Sequence, residues 1–232
     1  SWLSKANPYS DLGLERPFLL AYGKHLYEGN DYKADQIIKL WKAEWAKQFN
    51  SEHPIINLIF EGKINEADGK FLSSLLSDYT DLYNKYMALP SKRYLDTIKT
   101  MLESSSYHDN CHIFFQNILD SKLEVEQEIL SMWTSKWWRQ YPLSHILVNS
   151  VFSGKITNET ATFLHQIYND HGLVVETFLK NHSTKVMLLK SILAAGFRGH
   201  QQAILGILKG GDPKKVAQIS NIDIDFTMLD SN

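Results

Sequence analysis

Residues 41–64 read WKAEWAKQFNSEHPIINLIFEGKI, and residues 133–156 read WTSKWWRQYPLSHILVNSVFSGKI. The two stretches lie 92 residues apart, and nine of their 24 positions are identical. Unrelated segments of this length would share only about one or two positions, so the sequence contains an internal duplication. The identical pairs are Trp41/Trp133, Trp45/Trp137, Gln48/Gln140, His53/His145, Asn57/Asn149, Phe60/Phe152, Gly62/Gly154, Lys63/Lys155 and Ile64/Ile156.

The similarity extends beyond these stretches. MLESSSYHDNCHIFFQNIL at 101–119 resembles ILAAGFRGHQQAILGIL at 192–208, and LKGGDPKKVAQIS at 208–220 starts a truncated third copy. We therefore predict a single helical-repeat domain over 1–220, followed by an extended tail at 221–232. Within that domain we expect a first module at about 27–118, a second at about 119–207 and the truncated copy at 208–220.

The apolar residues follow a helical period. In KADQIIKLWKAEWAKQF at 33–49 they recur at steps of three and four residues, which gives one buried stripe, and VEQEILSMWTSKWWRQY at 125–141 repeats the pattern. The predicted fold class is all-α, with about 13 short helices arranged in hairpins. The helices are predicted at 16–28, 33–49, 54–61, 66–77, 80–88, 92–104, 109–119, 124–140, 143–153, 158–170, 173–180, 184–196 and 199–209.

Local signals mark the ends of these helices. Pro54 suits a first helical turn, and Gly62 and Gly154 suit the left-handed position that follows a helix. A hairpin of short helices cannot cover its own apolar face, so we expect successive hairpins to stack into a solenoid-like array. The predicted N-caps are Asn65, Ser91 and Ser183.

Part of the chain resembles an ankyrin repeat. ILAAGFRGHQQAILGILKGGDP at 192–213 has small residues, then Gly199-His200, then a helix ending in Ile207-Leu208, then Gly211-Asp212. HPIINLIFEGK at 53–63 is similar to the start of the same unit. Both stretches lack the Leu-His that follows Thr-Pro in that family, and HEAT-type hairpin repeats are similar as well. The resemblance implies a protein-binding surface rather than a catalyst.

The composition adds a second resemblance and several limits. The Asn-, Lys- and Ser-rich sequence with degenerate repeats is similar to effectors of intracellular bacteria, which implies a host-directed protein in the host cytosol.

The 232 residues are 44% hydrophobic and carry a net charge of −2. The net charge therefore gives no overall electrostatic attraction for nucleic acid. No apolar run reaches about 18 residues, and the single Cys111 fits a reducing compartment, so we expect a soluble cytoplasmic protein without a transmembrane segment.

His108, Cys111 and His112 are the strongest candidates for chemistry. Two histidines four residues apart share a helix face and can hold zinc, and a cysteine beside a histidine can serve as a nucleophile. The sequence offers no third ligand nearby and no HExxH glutamate. We therefore predict a helix start with Cys111 as a small core residue, no metal and no cofactor. A metal-dependent or Cys/His enzyme at 108–112 is kept as an alternative.

The duplicated polar residues indicate a structural role rather than a catalytic one. His53 and His145 stand at the same place in each module, as do Asn57 and Asn149. A catalytic site is rarely duplicated in this way. We predict that the histidines contact backbone at a helix entry and that the asparagines are buried amides that satisfy a neighbouring loop.

Trp138 departs from the repeat, because its counterpart is Ala46. Adjacent residues cannot occupy one helix face, so Trp138 should point away from the side that buries Trp137. Arg139 lies beside it, and aromatic residues next to arginine are typical interface anchors. We predict partner contact at this pair, with packing against an adjacent module as the alternative.

A basic segment follows near the end of the chain. Residues 180–220 hold seven lysines and arginines and one acid, whereas an acidic run occupies 120–128. This polarity predicts a partner protein with an acidic surface or, alternatively, phosphoinositides on an anionic membrane. The segment lacks the interleaved aromatic residues of a single-stranded nucleic-acid groove, so no nucleic-acid partner is expected. The predicted function is a protein–protein interaction module whose partner-binding residues are Trp138, Arg139, Lys185, Lys190, Arg198, His200 and Lys209.

Overall fold

A computed structural model describes residues 13–104, 108–181, 205–206, 211–212 and 215. Within these ranges the regular structure is helical throughout and contains no β-strand, which confirms the all-α class. The Ser183 cap, the helix at 184–196, most of the helix at 199–209 and the tail at 221–232 lie outside the described residues.

Ten α-helices run through the described residues, and most begin and end within two or three residues of the predicted positions. The helices are α1 Arg16–Tyr27, α2 Asp31–Lys42, α3 Pro54–Phe60, α4 Glu66–Asp78, α5 Thr80–Ala88, α6 Lys92–Ser104, α7 Cys111–Leu119, α8 Leu123–Ser135, α9 Ile146–Phe152 and α10 Asn158–Asn181.

The predicted continuous helices at 33–49 and 124–140 are wrong. α2 ends at Lys42, where Ala43 becomes extended, and a short 3₁₀ helix Glu44–Gln48 follows. α8 ends at Ser135, where Lys136 takes the left-handed conformation with φ 65°, and the 3₁₀ helix Trp137–Gln140 follows. The apolar period continues across both breaks, which is why it predicted a single helix.

The other helix ends follow the local signals. Asn65 and Asp68 form a capping box at the start of α4, in which each side chain accepts from the backbone N–H of the other residue. Ser91 Oγ accepts from the backbone N–H of Tyr94 at 3.2 Å, and Pro54 occupies the first turn of α3. α10 bends at His171, between the two helices predicted at 158–170 and 173–180.

The chain divides into two compact units, Ser1–Phe115 and Gln116–Asn232. In the first unit α1 packs on α2, and α4 packs on α3 and α5. In the second unit α9 packs on α8 and α10. The single repeat domain over 1–220 stays a prediction. Fully buried side chains include Ile37, Leu40, Leu72 and Tyr86 in the first unit and Ile129, Trp133, Leu147, Leu164 and Phe178 in the second.

Candidate functional site

The starts of α3 and α9 are built in the same way. The Nδ1 atoms of His53 and His145 each accept a hydrogen bond at 3.3 Å from the backbone N–H two residues further on. The ring of Phe49 lies 4.1 Å from that of His53, and the ring of Tyr141 lies 4.2 Å from that of His145. Burial lowers the pKa of both imidazoles, which keeps Nδ1 an acceptor at neutral pH. The predicted helix-entry role of the two histidines is confirmed.

Asn57 and Asn149 donate their side-chain amides to the loop before the helix. The acceptors are the carbonyl of Glu52 at 3.0 Å and the carbonyl of Ser144 at 2.9 Å. The predicted loop contact is therefore confirmed. The predicted burial is wrong, because both asparagines lie on the exposed side of their helices.

The entry to α4 joins three elements of the first unit. The indole N–H of Trp45, in the 3₁₀ helix, donates to the carboxylate of Glu66 at the first position of α4. The backbone N–H of Glu66 donates to Oε1 of Gln36, on α2, at 3.1 Å. Two hydrogen bonds, between residues 30 and 21 positions apart, thus fix α4 against α2 and the 3₁₀ helix.

The entry to α10 shows the same arrangement in the second unit. The indole N–H of Trp137 donates to Oδ1 of Asn158 at 2.9 Å, and the backbone N–H of Asn158 donates to the carboxylate of Glu128 at 2.6 Å. The acid and the amide have exchanged places relative to Gln36 and Glu66. The two hydrogen bonds are present in both units although the residue types differ. The start of α10 is therefore held in the same way as the start of α4. We call these hydrogen bonds, together with those of the two helix-entry histidines, the shared frame.

A groove lies beside the shared frame in the first unit, with a volume of about 200 Å³. α2, the turn after α3 and the start of α4 all contribute to it. Gly62, in that turn, has φ 66°, and a β-carbon at this position would collide with the side chain of Lys33. Glycine takes this turn without strain, and any larger residue would also require the Lys33 side chain to move. We call this space the first groove; its lining includes Tyr32, Lys33, Gln36, Gly62, Lys63, Asp68 and Lys92.

The second unit has a groove at the same position, with a volume of about 300 Å³. Gly154 has φ 68°, and a β-carbon there would lie 2.6 Å from Cγ2 of Val125, the counterpart of Lys33. Three lysines and one aspartate line the first groove. In this second groove the charged lining residues are two glutamates and one lysine. The two grooves therefore differ in the sign of their lining charge; the second is lined by Glu124, Val125, Glu128, Gly154, Lys155, Ile156, Thr157 and Thr160.

Asp68 places a buried carboxylate against the first groove. Its side chain is 3% exposed, and Oδ1 accepts from Nζ of Lys99 at 2.6 Å and from Nζ of Lys92 at 3.2 Å. Burial by itself would raise the pKa of this carboxyl, but the hydrogen bonds from the two lysines hold the pKa below its usual value. Asp68 is thus a fixed negative charge between two ammonium groups.

Trp138 is not the surface anchor that its position in the repeat predicted. It is 1% exposed, its ring stacks on Trp133 at 5.5 Å, and its indole N–H donates to the Trp133 carbonyl at 3.3 Å. Because α8 ends at Ser135, the rule for adjacent residues on one α-helix does not apply, and both Trp137 and Trp138 are buried. Arg139 is half-buried, with its guanidinium 5.8 Å from the Trp138 ring centre.

Both ring nitrogens of His108 are engaged in hydrogen bonds, which leaves neither available for catalysis. Nε2 lies 3.1 Å from the Leu102 carbonyl, which can only accept, so Nδ1 carries the lone pair and accepts from the hydroxyl of Tyr79 at 2.6 Å. Burial raises the pKa of the Cys111 thiol to about 12, so the reactive thiolate is absent at neutral pH. The predicted core position of Cys111 is confirmed. Within the described ranges no group of three or more His, Cys, Asp or Glu side chains is arranged to hold a metal ion.

The predicted basic surface falls outside the described residues. This applies to Lys185, Lys190, Arg198, His200 and Lys209, and the lipid-binding alternative that depends on them stays a prediction. At the near end of the segment, Lys180 forms an exposed ion pair with Glu176 at 3.4 Å.

Sequence reasoning missed the two grooves, although the sequence contains a signal for them. The identical positions of the duplication drew attention to the shared frame. Part of the groove lining lies at aligned positions that differ, such as Lys33 with Val125 and Asp68 with Thr160. A comparison of these non-identical pairs would have indicated where the two units diverge in chemistry.

No protein-family model, curated protein or solved structure matches the chain. The resemblance to ankyrin or HEAT repeats therefore stays a prediction. In the described part of the chain, no helix is both long enough and apolar enough to span a membrane.

Proposed function

We propose that the chain is a protein-interaction module in which each unit offers one groove to a partner protein. The observation that carries this proposal is the pair of grooves on the shared frame, with lining residues of different charge. In repeat proteins the residues that hold the repeat together recur, while surface residues vary with the partner. The pattern of identical and exchanged residues in this chain agrees with that division.

The proposal includes the arrangement of the helices as a repeat array of the ankyrin or HEAT type. Its support is the packing of consecutive helices, α3 on α4 and α4 on α5 in the first unit and α8 on α9 and α9 on α10 in the second. It also includes a host-directed role in the cytosol, which rests on the resemblance to bacterial effectors. A catalytic role at 108–112 receives less support, because His108 uses both ring nitrogens and Cys111 is a buried thiol.

Site-specific photo-crosslinking tests this function. The photoreactive amino acid p-benzoylphenylalanine replaces Tyr32 in one sample and Glu124 in another, so that each groove carries one probe. Lys42, an exposed residue at the end of α2 that lines neither groove, carries the probe in the control. After irradiation in eukaryotic cytosolic extract, we expect a discrete adduct at one or both groove positions and none of that mass at Lys42. The same adducts at all three positions, or none at any, would contradict the proposal.

A further inference from the structure

We infer that the first groove is a receptor for an acidic polypeptide segment, one whose aspartate or glutamate side chains enter beside Lys33, Lys63 and Lys92. This inference rests on the proposed function and deepens it by naming the chemistry of the partner. It follows from the charge of the groove, from the state of each lysine and from a comparison with the second groove.

Lys33 of the first groove is not required by the fold, whereas Lys63 recurs as Lys155 in the second unit. The second unit keeps the shared frame and the left-handed glycine although Val125 takes the place of Lys33 and Thr160 that of Asp68. Side chains that the shared frame does not need are available to bind a partner. Three ammonium groups in one concave groove favour an anionic ligand.

Lys33 is the most available of these groups. Its aliphatic stem lies against Gly62, which places the ammonium group beside the groove. Within the described residues it forms no ion pair, whereas Lys39 on the same helix binds Asp35 at 2.8 Å. A carboxylate that reaches the first groove would therefore meet this ammonium group without displacing a neighbour.

The other two lysines are held by contacts that a ligand can replace. Lys63 pairs with Glu61 at 2.7 Å and Lys92 pairs with Asp96 at 2.7 Å, and all four side chains are about half exposed. Exposed ion pairs contribute little to stability, so an incoming carboxylate can compete for these lysines. Asp68 remains neutralised by Lys99 when Lys92 turns towards a ligand.

The shape of the groove favours a polypeptide over a membrane surface. The lysines line a concavity of about 200 Å³, which side chains can enter, while a flat layer of headgroups would meet only its edge. Tyr32, 63% exposed, adds an aromatic surface beside the charges. Tyrosine is enriched at protein interfaces, where it supplies contact area and a hydroxyl together.

The test is binding of fluorescent oligoglutamate and oligolysine peptides to the full chain, measured by anisotropy at low salt. The variant K33Q/K63Q removes two charges of the first groove, and K42Q/K70Q removes two exposed charges elsewhere in the same unit. We expect the wild type to bind oligoglutamate through the first groove, and any binding of oligolysine to be unaffected by K33Q/K63Q, because the second groove has a negative lining. K33Q/K63Q should weaken oligoglutamate binding by about tenfold and K42Q/K70Q by less than about twofold, because close charges dominate. Thermal unfolding of each variant verifies that it is folded.

Three other outcomes overturn the inference, and a fourth concerns the interaction function alone. Equal weakening in both variants means that total charge alone attracts the peptide. Binding to vesicles of anionic phospholipid that depends on Lys33 and Lys63, without peptide binding, assigns the groove to a membrane surface. If oligoglutamate does not bind while the probe at Tyr32 still yields its specific adduct, the acidic ligand is wrong and the interaction function stands. If oligoglutamate binding is weakened by K33Q/K63Q as expected while crosslinking yields no adduct, the groove binds acidic peptides but the proposed interaction with a cytosolic partner is rejected.

Discussion

Asp68 shows how one residue can serve both the fold and the candidate site. Its carboxylate caps the start of α4, neutralises Lys99 and binds Lys92, a residue of the first groove. Its counterpart Thr160 has no charge, but the backbone N–H of Thr160 donates to the hydroxyl of Thr157 at 3.2 Å, just as that of Asp68 donates to Asn65 at 2.8 Å. The second unit therefore caps the corresponding helix without a buried ion pair. The charge at position 68 reflects the chemistry of the first groove more than the needs of the helix.

The substitution D68N tests the energetic role of this carboxylate. We expect it to lower the free energy of unfolding by about 1–3 kcal/mol, because two ammonium groups lose a charged acceptor. The cost stays below that of a fully buried pair since Lys92 and Lys99 both reach water. Urea unfolding followed by tryptophan fluorescence measures the change.

The matched control for this prediction is D96N, which removes the exposed carboxylate on the other side of Lys92. Its effect should stay below about 1 kcal/mol, as for other surface ion pairs. Equal losses in the two variants would show that the burial of Asp68 adds nothing to its ion pairs.

At the scale of the helices, the sequence predicted those helix ends that are set by residues close to them in the chain. Asn65, Ser91 and Pro54 mark helix starts because each acts on backbone groups of its own first turn. The breaks at Ala43 and Lys136 were missed, since neither position carries a glycine or proline and the apolar period runs on across them. The grooves were missed for a related reason. They depend on contacts such as Gln36 with Glu66, which join residues thirty positions apart.

The break at Lys136 gives a prediction of its own. A residue with a β-carbon is strained in the left-handed region by about 1–2 kcal/mol, and glycine is not. We therefore expect K136G to be more stable than K136A by about 1 kcal/mol, although both variants lose the same lysine. Chemical unfolding of the two variants under identical conditions gives the difference.

The duplication supplies the control for this comparison. Glu44 is the counterpart of Lys136, and among the described non-glycine residues only Lys136 has positive φ. At position 44 the order should therefore reverse, with E44G less stable than E44A by about 0.5–1 kcal/mol. If glycine is destabilising at both positions, Lys136 is not strained and the break in α8 has another cause.

For the molecule as a whole, the duplication separates two kinds of residue. The shared frame appears in both units with the same pattern of hydrogen bonds, so these residues are explained by folding. The linings of the grooves differ in charge, so the frame does not determine them. A chain with net charge −2 can in this way offer grooves of different charge on one repeated structure.

The helix-entry histidines make the stability of the whole molecule depend on pH. Burial lowers the pKa of His53, His145 and His165 in the folded chain. Near and below about pH 6.5, the ordinary value for histidine, the unfolded chain therefore binds more protons than the folded chain. The free energy of unfolding should fall as the pH decreases through this range. Asp68 and Glu176 have lowered pKa values, so their contribution is lost only at lower pH, below about 4.

The variant H53N/H145N assigns this dependence to the shared frame. Asparagine can accept the same N-cap hydrogen bond as the imidazole Nδ1 but does not titrate, so the helix starts are kept and two protonation sites are removed. We expect unfolding free energies measured in urea between about pH 5 and 7.5 to fall less steeply for the variant than for the wild type. The difference should be largest near the acidic end of the range, where the histidines of the unfolded wild-type chain are protonated. Parallel curves would mean that the two frame histidines bind protons equally in both states and that the acid sensitivity arises elsewhere.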